Sequence, residues 1–129
     1  MIKNFEQIQR DLAAKQYHSV YFLTGEESFF TDTISDYIAE NVLDESEKSF
    51  NLSIFYGKES SPGNIIESAL RFPMMSDYNV IILKEAQDFK KFDEFTKYFQ
   101  NPTSRIFIIN MIKSPGTKTI NKNARTALI

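Results

Sequence analysis

Two stretches of this 129-residue chain have the residue types that phosphate chemistry would need, and both are incomplete. The first is FLTGEESFFTD, beginning at Phe22. A phosphate-binding loop reads G-x-x-x-x-G-K-[ST], with glycines for close backbone approach, a lysine for the phosphate charge and a hydroxyl for magnesium. With Gly25 as the first glycine, Phe30, Thr31 and Asp32 stand where Gly, Lys and Ser/Thr belong. A ring at 30 fills space that phosphates need, Thr31 neutralises nothing, and Asp32 repels them. The second stretch is Val80-Ile81-Ile82-Leu83 followed by Lys84 and Glu85. An ATPase of this kind ends such a strand with a metal-binding Asp and a catalytic Glu. Glu85 occupies the catalytic place, but Lys84 replaces the metal ligand. Two independent defects predict that the chain neither hydrolyses ATP nor carries a cofactor.

Other chemistry is poorly supplied. Glu26-Glu27 and Asp93-Glu94 are adjacent carboxylates, which on a helix or turn point apart into solvent. His18 has no Ser or Cys at a suggestive spacing, and a structural or surface role is expected of it. With no Cys and one His, thiolate nucleophiles, disulfides and multi-histidine metal sites are excluded. No catalytic residue and no metal ligand is predicted.

The elements that would position these residues alternate in type. Asn4 can cap an amphipathic helix over residues 4–16, with Phe5, Ile8 and Leu12 on one face. Val20 to Leu23 is a wholly apolar run, as in a strand buried on both faces. From Ser28 to Leu43, Phe30, Ile34, Tyr37, Ile38 and Val42 mark a second helix. The polar DESEKS stretch reads as a loop, and Leu52 to Tyr56 as a strand stopped by Gly57. Ser61 and Pro62 start a helix with Ile65, Ile66, Ala69 and Leu70 on its buried stripe, and Pro73 ends it by disfavouring a helical Phe72. Val80 to Leu83 is the strongest strand. Asp88 can cap a helix carrying Phe92, Phe95 and Phe99, closed by Asn101-Pro102, and Ile106 to Ile109 is the last strand. Helices alternating with short apolar strands predict a three-layer α/β domain, its sheet mostly parallel with helices on both faces. An aspartate-phosphorylating receiver shares that architecture, but no Asp ends any of the first three strands.

Composition fits one globular core, with 42% hydrophobic and 25% charged residues. The N-terminal MIKNFEQIQRD lacks the apolar segment of a secretion signal, and no run approaches the ~18 apolar residues of a membrane span. A soluble cytoplasmic protein is expected. The charge is uneven: all 17 acidic residues precede residue 101, leaving that stretch at −7, while the remainder carries +5 from Arg105, Lys113, Lys118, Lys122 and Arg125. The acidic body does not resemble a DNA-binding surface. The basic tail, with Pro115 and Gly116, reads as a solvated exit segment whose contact with DNA would be weak and nonspecific.

Three motifs in order, VYFLTGEESFF, ALRFPMMSDYNVIILKEAQ and NPTSRIFIIN, give the chain its family resemblance. Over residues 18 to 112 it resembles the delta subunit of the bacterial DNA polymerase III clamp loader. The resemblance implies a P-loop NTPase-like (AAA+-like) domain over 1–112 that lacks ATPase activity, binds the ring-shaped sliding clamp (the beta subunit) and helps to open it within the polymerase holoenzyme. It also implies that a hydrophobic wedge before the acidic-motif strand makes that contact. The matching positions are Met74 and Met75, flanked by Phe72 and Pro73, where the family often has Leu-Phe. Family chains continue into a small helical domain and a collar that assembles with other loader subunits, so 113–129 would lead toward a second domain. The residues agree: Met74 and Met75 lie on a connection, connections lie at the surface, and exposed Met suits adaptable binding. Two other readings are a degenerate α/β scaffold of another complex and, against both defects, a nucleotide-binding enzyme.

Overall fold

In the computed structural model, residues 4–24, 28–86, 92–95, 98, 106–111 and 126–128 are described. They include helices α1 (Phe5–Ala13), α2 (Ser28–Asn41), α3 (Glu45–Asn51) and α4 (Pro62–Leu70), and a 3₁₀ turn (Phe92–Phe95). The strands are β1 (Val20–Thr24), β2 (Leu52–Tyr56), β3 (Val80–Lys84), β4 (Ile106–Met111) and β5 (Thr126–Leu128). They form one sheet in the order β2-β3-β4-β1-β5, and every pairing is parallel.

This order decides where the helices go. The chain leaves β1, crosses β4 and β3 to start β2, steps back through β3 to β4, and then passes β1 to reach β5. Since crossovers between parallel strands are right-handed, a reversal of travel moves the connecting helices to the opposite face. The core divides accordingly. One face gathers Ile8 and Leu12 of α1 and Ile34 and Ile38 of α2 over Tyr21, Leu23, Val80, Ile82 and Ile108. The other gathers Ile65 and Ala69 of α4, Phe95 and Tyr98 over Val20, Phe22, Ile81 and Leu83. Alternate residues of β1 and β3 feed opposite cores, which is why both strands are apolar throughout. Tyr21 and Ile82 both register against Ile108, so one side-chain row crosses three strands.

Helix starts follow their caps. Asn4 and Gln7 form a reciprocal capping box, and Ser61 with Pro62 begins α4. DESEKS, expected as a loop, instead starts α3. Asp44 accepts from the Glu47 backbone N–H at 2.9 Å while the Glu47 carboxylate accepts from the Asp44 N–H at 3.0 Å. Lys48 then joins α3 to α2 through Glu40 at 3.1 Å, and also reaches Glu45 at 3.0 Å. A second difference lies at the other end of the sequence. The basic segment from residue 113 was expected to leave the domain, but Thr126, Ala127 and Leu128 pair with Val20, Tyr21 and Phe22 as an edge strand. Three residues between polar neighbours are too few for a strand signal. The expected cap Asp88, Phe99 and the Asn101-Pro102 stop lie outside the described residues. Among the described residues, no helix is long and apolar enough to cross a membrane.

Candidate functional site

The carboxyl end of a parallel sheet is where α/β domains usually place ligands. There β1 ends at Thr24, β3 at Lys84 and β4 at Met111, with Thr24 in register with Met111. Gly25 lies outside the described residues. Phe30 sits in the first turn of α2 with its ring against Phe5 (centroids 4.8 Å apart) and Phe29 (5.3 Å), on the side of α1. Thr31 is buried at 3% exposure, and Ser35 Oγ donates to its carbonyl. Asp32 is partly buried on the same helix. Lys84 is half-buried and its carbonyl accepts from Gly57 N–H at 2.9 Å; Glu85 is exposed with a left-handed φ of 54°. Magnesium-nucleotide binding would want a cation reaching out from position 31 and a carboxylate at 84. The residues present, a buried threonine and a lysine, do not fit that group. Among the described residues no cluster of His, Cys, Asp and Glu could hold a metal ion. His18 Nε2 lies 3.6 Å from Asp11 Oδ2, and its backbone N–H donates to the Tyr21 hydroxyl, a pairing that fixes the entry to β1.

The opposite, amino-terminal end of the sheet carries the more distinctive feature. Between the end of α4 and the start of β3 the chain presents Phe72 at 84% exposure, Met74 at 56% and Met75 at 94%, with Pro73 partly buried between them. Three large apolar side chains within four residues are costly to leave in water unless something covers them. The protrusion is also tethered. Met75 has a φ of 57°, a left-handed conformation that costs a non-glycine residue about 1–2 kcal/mol. Asn79, 1% exposed, donates from Nδ2 to the carbonyls of Ser68 (2.7 Å) and Arg71 (3.3 Å), holding the end of α4. Asn51, also 1% exposed, accepts from Met74 N–H at 2.7 Å and donates to Met74 C=O at 2.8 Å. Tyr78 N–H donates to Ser76 Oγ, and the Tyr78 ring stands edge-on to Tyr17 with centroids 5.3 Å apart.

The sequence placed Met74 and Met75 on a surface connection, and both are exposed there beside Phe72 and Pro73; it missed Asn51, which bonds Met74, and Asn79, which holds the preceding end of α4. A signal existed: Asn51 and Asn79 each stand immediately before an apolar strand, where a polar side chain is enclosed and must find backbone partners. The α3 capping box, D-E-S-E, was a further readable sign.

Comparison with known proteins identifies relatives of this chain. The family model for DNA polymerase III, delta subunit, matches residues 21–127, a span from β1 into β5. DNA polymerase III subunit delta of Bacillus subtilis is 31% identical over 77 residues, 60% of this chain and 22% of that protein. The solved structure of the Bacillus subtilis DNA clamp loader delta protein shares the fold, with a TM-score of 0.86 at 24% identity over 98% of this chain and 42% of that one. This chain thus spans less than half the length of either relative. With the model match running through the sheet strands, the degenerate loop and the Phe72 to Met75 segment alike, the chain belongs to the DNA polymerase III delta-subunit family.

Proposed function

We propose that this chain is a clamp-binding module of a clamp loader, which docks Met74 and Met75 on the sliding clamp, helps to open it, and has no ATPase activity of its own. The observation that carries the reading is the Phe72 to Met75 segment: apolar, protruding, and hydrogen-bonded at Met74 by the buried Asn51, with Asn79 holding the end of α4 just before it. A surface that serves only as scaffold has no reason to keep a left-handed Met75 at 94% exposure. Family membership supports a sliding clamp as the partner, since the solved relative is itself a clamp loader delta protein.

The remaining parts of the reading follow from the residues. With Thr31 buried and Lys84 at the strand end, ATP hydrolysis falls to other loader subunits. The domain covers the described sheet, and further chain, of the kind its longer relatives possess, would join it to those subunits and to the cytoplasmic replication holoenzyme. The excess of acidic residues through residue 100 favours a protein partner over direct DNA binding. Calorimetric titration of the cognate sliding clamp tests the proposal. A stoichiometric complex, with no heat from magnesium-ATP in the absence of the clamp, is expected; magnesium-ATP binding without clamp binding would favour the nucleotide-enzyme reading instead.

A further inference from the structure

Asn51 makes a contact that its place in the fold does not require. As the last residue of α3 it could keep its Nδ2 within its own helix, on the Glu47 carbonyl alone, at 3.0 Å. Instead the same side chain reaches 23 residues along the chain and takes both backbone groups of Met74, accepting from its N–H at 2.7 Å and donating to its C=O at 2.8 Å. Only a carboxamide offers a donor and an acceptor side by side in this way, so it pairs with a residue as a neighbouring strand would. The contact is partly buried: Asn51 is 1% exposed, whereas the Met74 and Met75 side chains face solvent. A loop with no sheet partner is thereby fixed at the residue where its side chains emerge.

We propose that Asn51 is the positioning residue of the clamp-binding wedge: its amide holds the Met74 backbone so that Met74 and Met75 meet the clamp already ordered. This rests on the clamp-binding reading above. The physical effect is preorganisation. Ordering a side chain on binding costs affinity, and a segment ordered beforehand avoids that cost. Asn51 need not touch the clamp; it acts through Met74.

A double-mutant cycle tests this, with the affinity for the cognate sliding clamp measured for the parent protein, Asn51→Ala, Met74→Ala/Met75→Ala and the triple variant, and the fold of each checked by thermal unfolding. Asn51→Ala is expected to weaken clamp binding on the order of five- to tenfold in the parent and by less than about twofold once the methionines are gone, because coupled residues are not additive. An equal loss in both backgrounds would show that Asn51 supports the fold generally, and parental affinity in Asn51→Ala would show that the clasp is idle; either overturns the proposal. If instead the double methionine variant binds like the parent, the clamp-binding reading itself fails, and the positioning role with it. Should Asn51→Ala not fold, hydrogen exchange on the parent decides. The Met74 amide is expected to be protected well beyond that of Met75, and equal, fast exchange at both would overturn the proposal.

Discussion

Replacing Met75 by alanine and, separately, by glycine separates what this residue does for the fold from what it does for binding. Its side chain is 94% exposed, so truncation removes almost no packing, yet its φ of 57° strains any residue with a Cβ. Met75→Ala keeps that strain and should leave stability within about 0.5 kcal/mol of the parent, as for most exposed substitutions. Met75→Gly removes about 1–2 kcal/mol of strain and adds about 0.5–1 kcal/mol of backbone entropy to the unfolded chain, for a net change between zero and about 1.5 kcal/mol in favour of the fold. For the clamp the two variants are alike, since both lose a methionine whose full burial is worth about 1.5–3 kcal/mol, or roughly tenfold to a hundredfold in affinity. Urea unfolding and clamp titration on the same three proteins measure both quantities. A glycine variant at least as stable as the parent but much weaker in binding is the expected pattern. A loss of more than about 2 kcal/mol of stability in Met75→Ala would mean that the side chain packs in the core and would refute the reasoning.

Three further outcomes follow from the fold. Burial pushes the Tyr21 hydroxyl up to about 12 from 10.0, although the His18 N–H it accepts pulls the other way. The raised value means stability present below pH 10 and lost between about pH 10 and 12, on the order of 2 kcal/mol, which unfolding midpoints measured across that range would show. The Asp44 carboxyl is held below its ordinary 3.8, first by the Ser46 hydroxyl and then by the Glu47 N–H. Its cap therefore stabilises the fold above about pH 4 and fades as the pH falls through the lower folded value, so the stability gap between the parent and Asp44→Ala should close in acid. Asn79→Ala should cost about 1–3 kcal/mol in urea unfolding, because the carbonyls of Ser68 and Arg71 lose their shared donor.

The layered fold was legible because its strands are apolar on both faces and its helices carry periodic stripes: Val20 to Leu23 and Val80 to Leu83 each feed two cores, and Ile65 and Ala69 fall where the α4 pattern puts them. The failures were local. DESEKS hid a seven-residue helix because nothing in it is apolar until Phe50, and only its capping box announced it. Strand β5 was illegible because a three-residue edge strand is made by its partner β1 and not by its own pattern. The position of the Phe72 to Met75 segment followed from Pro73, but its tether did not, since the hydrogen bonds to Met74 come from Asn51, 23 residues earlier. The Phe30 ring was expected across the phosphate space, whereas its contacts run to Phe5 and Phe29, a matter of helix rotation that residue identity does not convey.

The claim that Met74 and Met75 form the clamp-binding wedge is tested most directly by measuring affinity for the cognate sliding clamp and thermal stability on one protein, the Met74→Ala/Met75→Ala variant. The account predicts binding weakened by at least about tenfold with the unfolding temperature nearly unchanged, since both side chains are exposed in the free chain. A large drop in unfolding temperature with parental affinity would contradict it and return both methionines to the core.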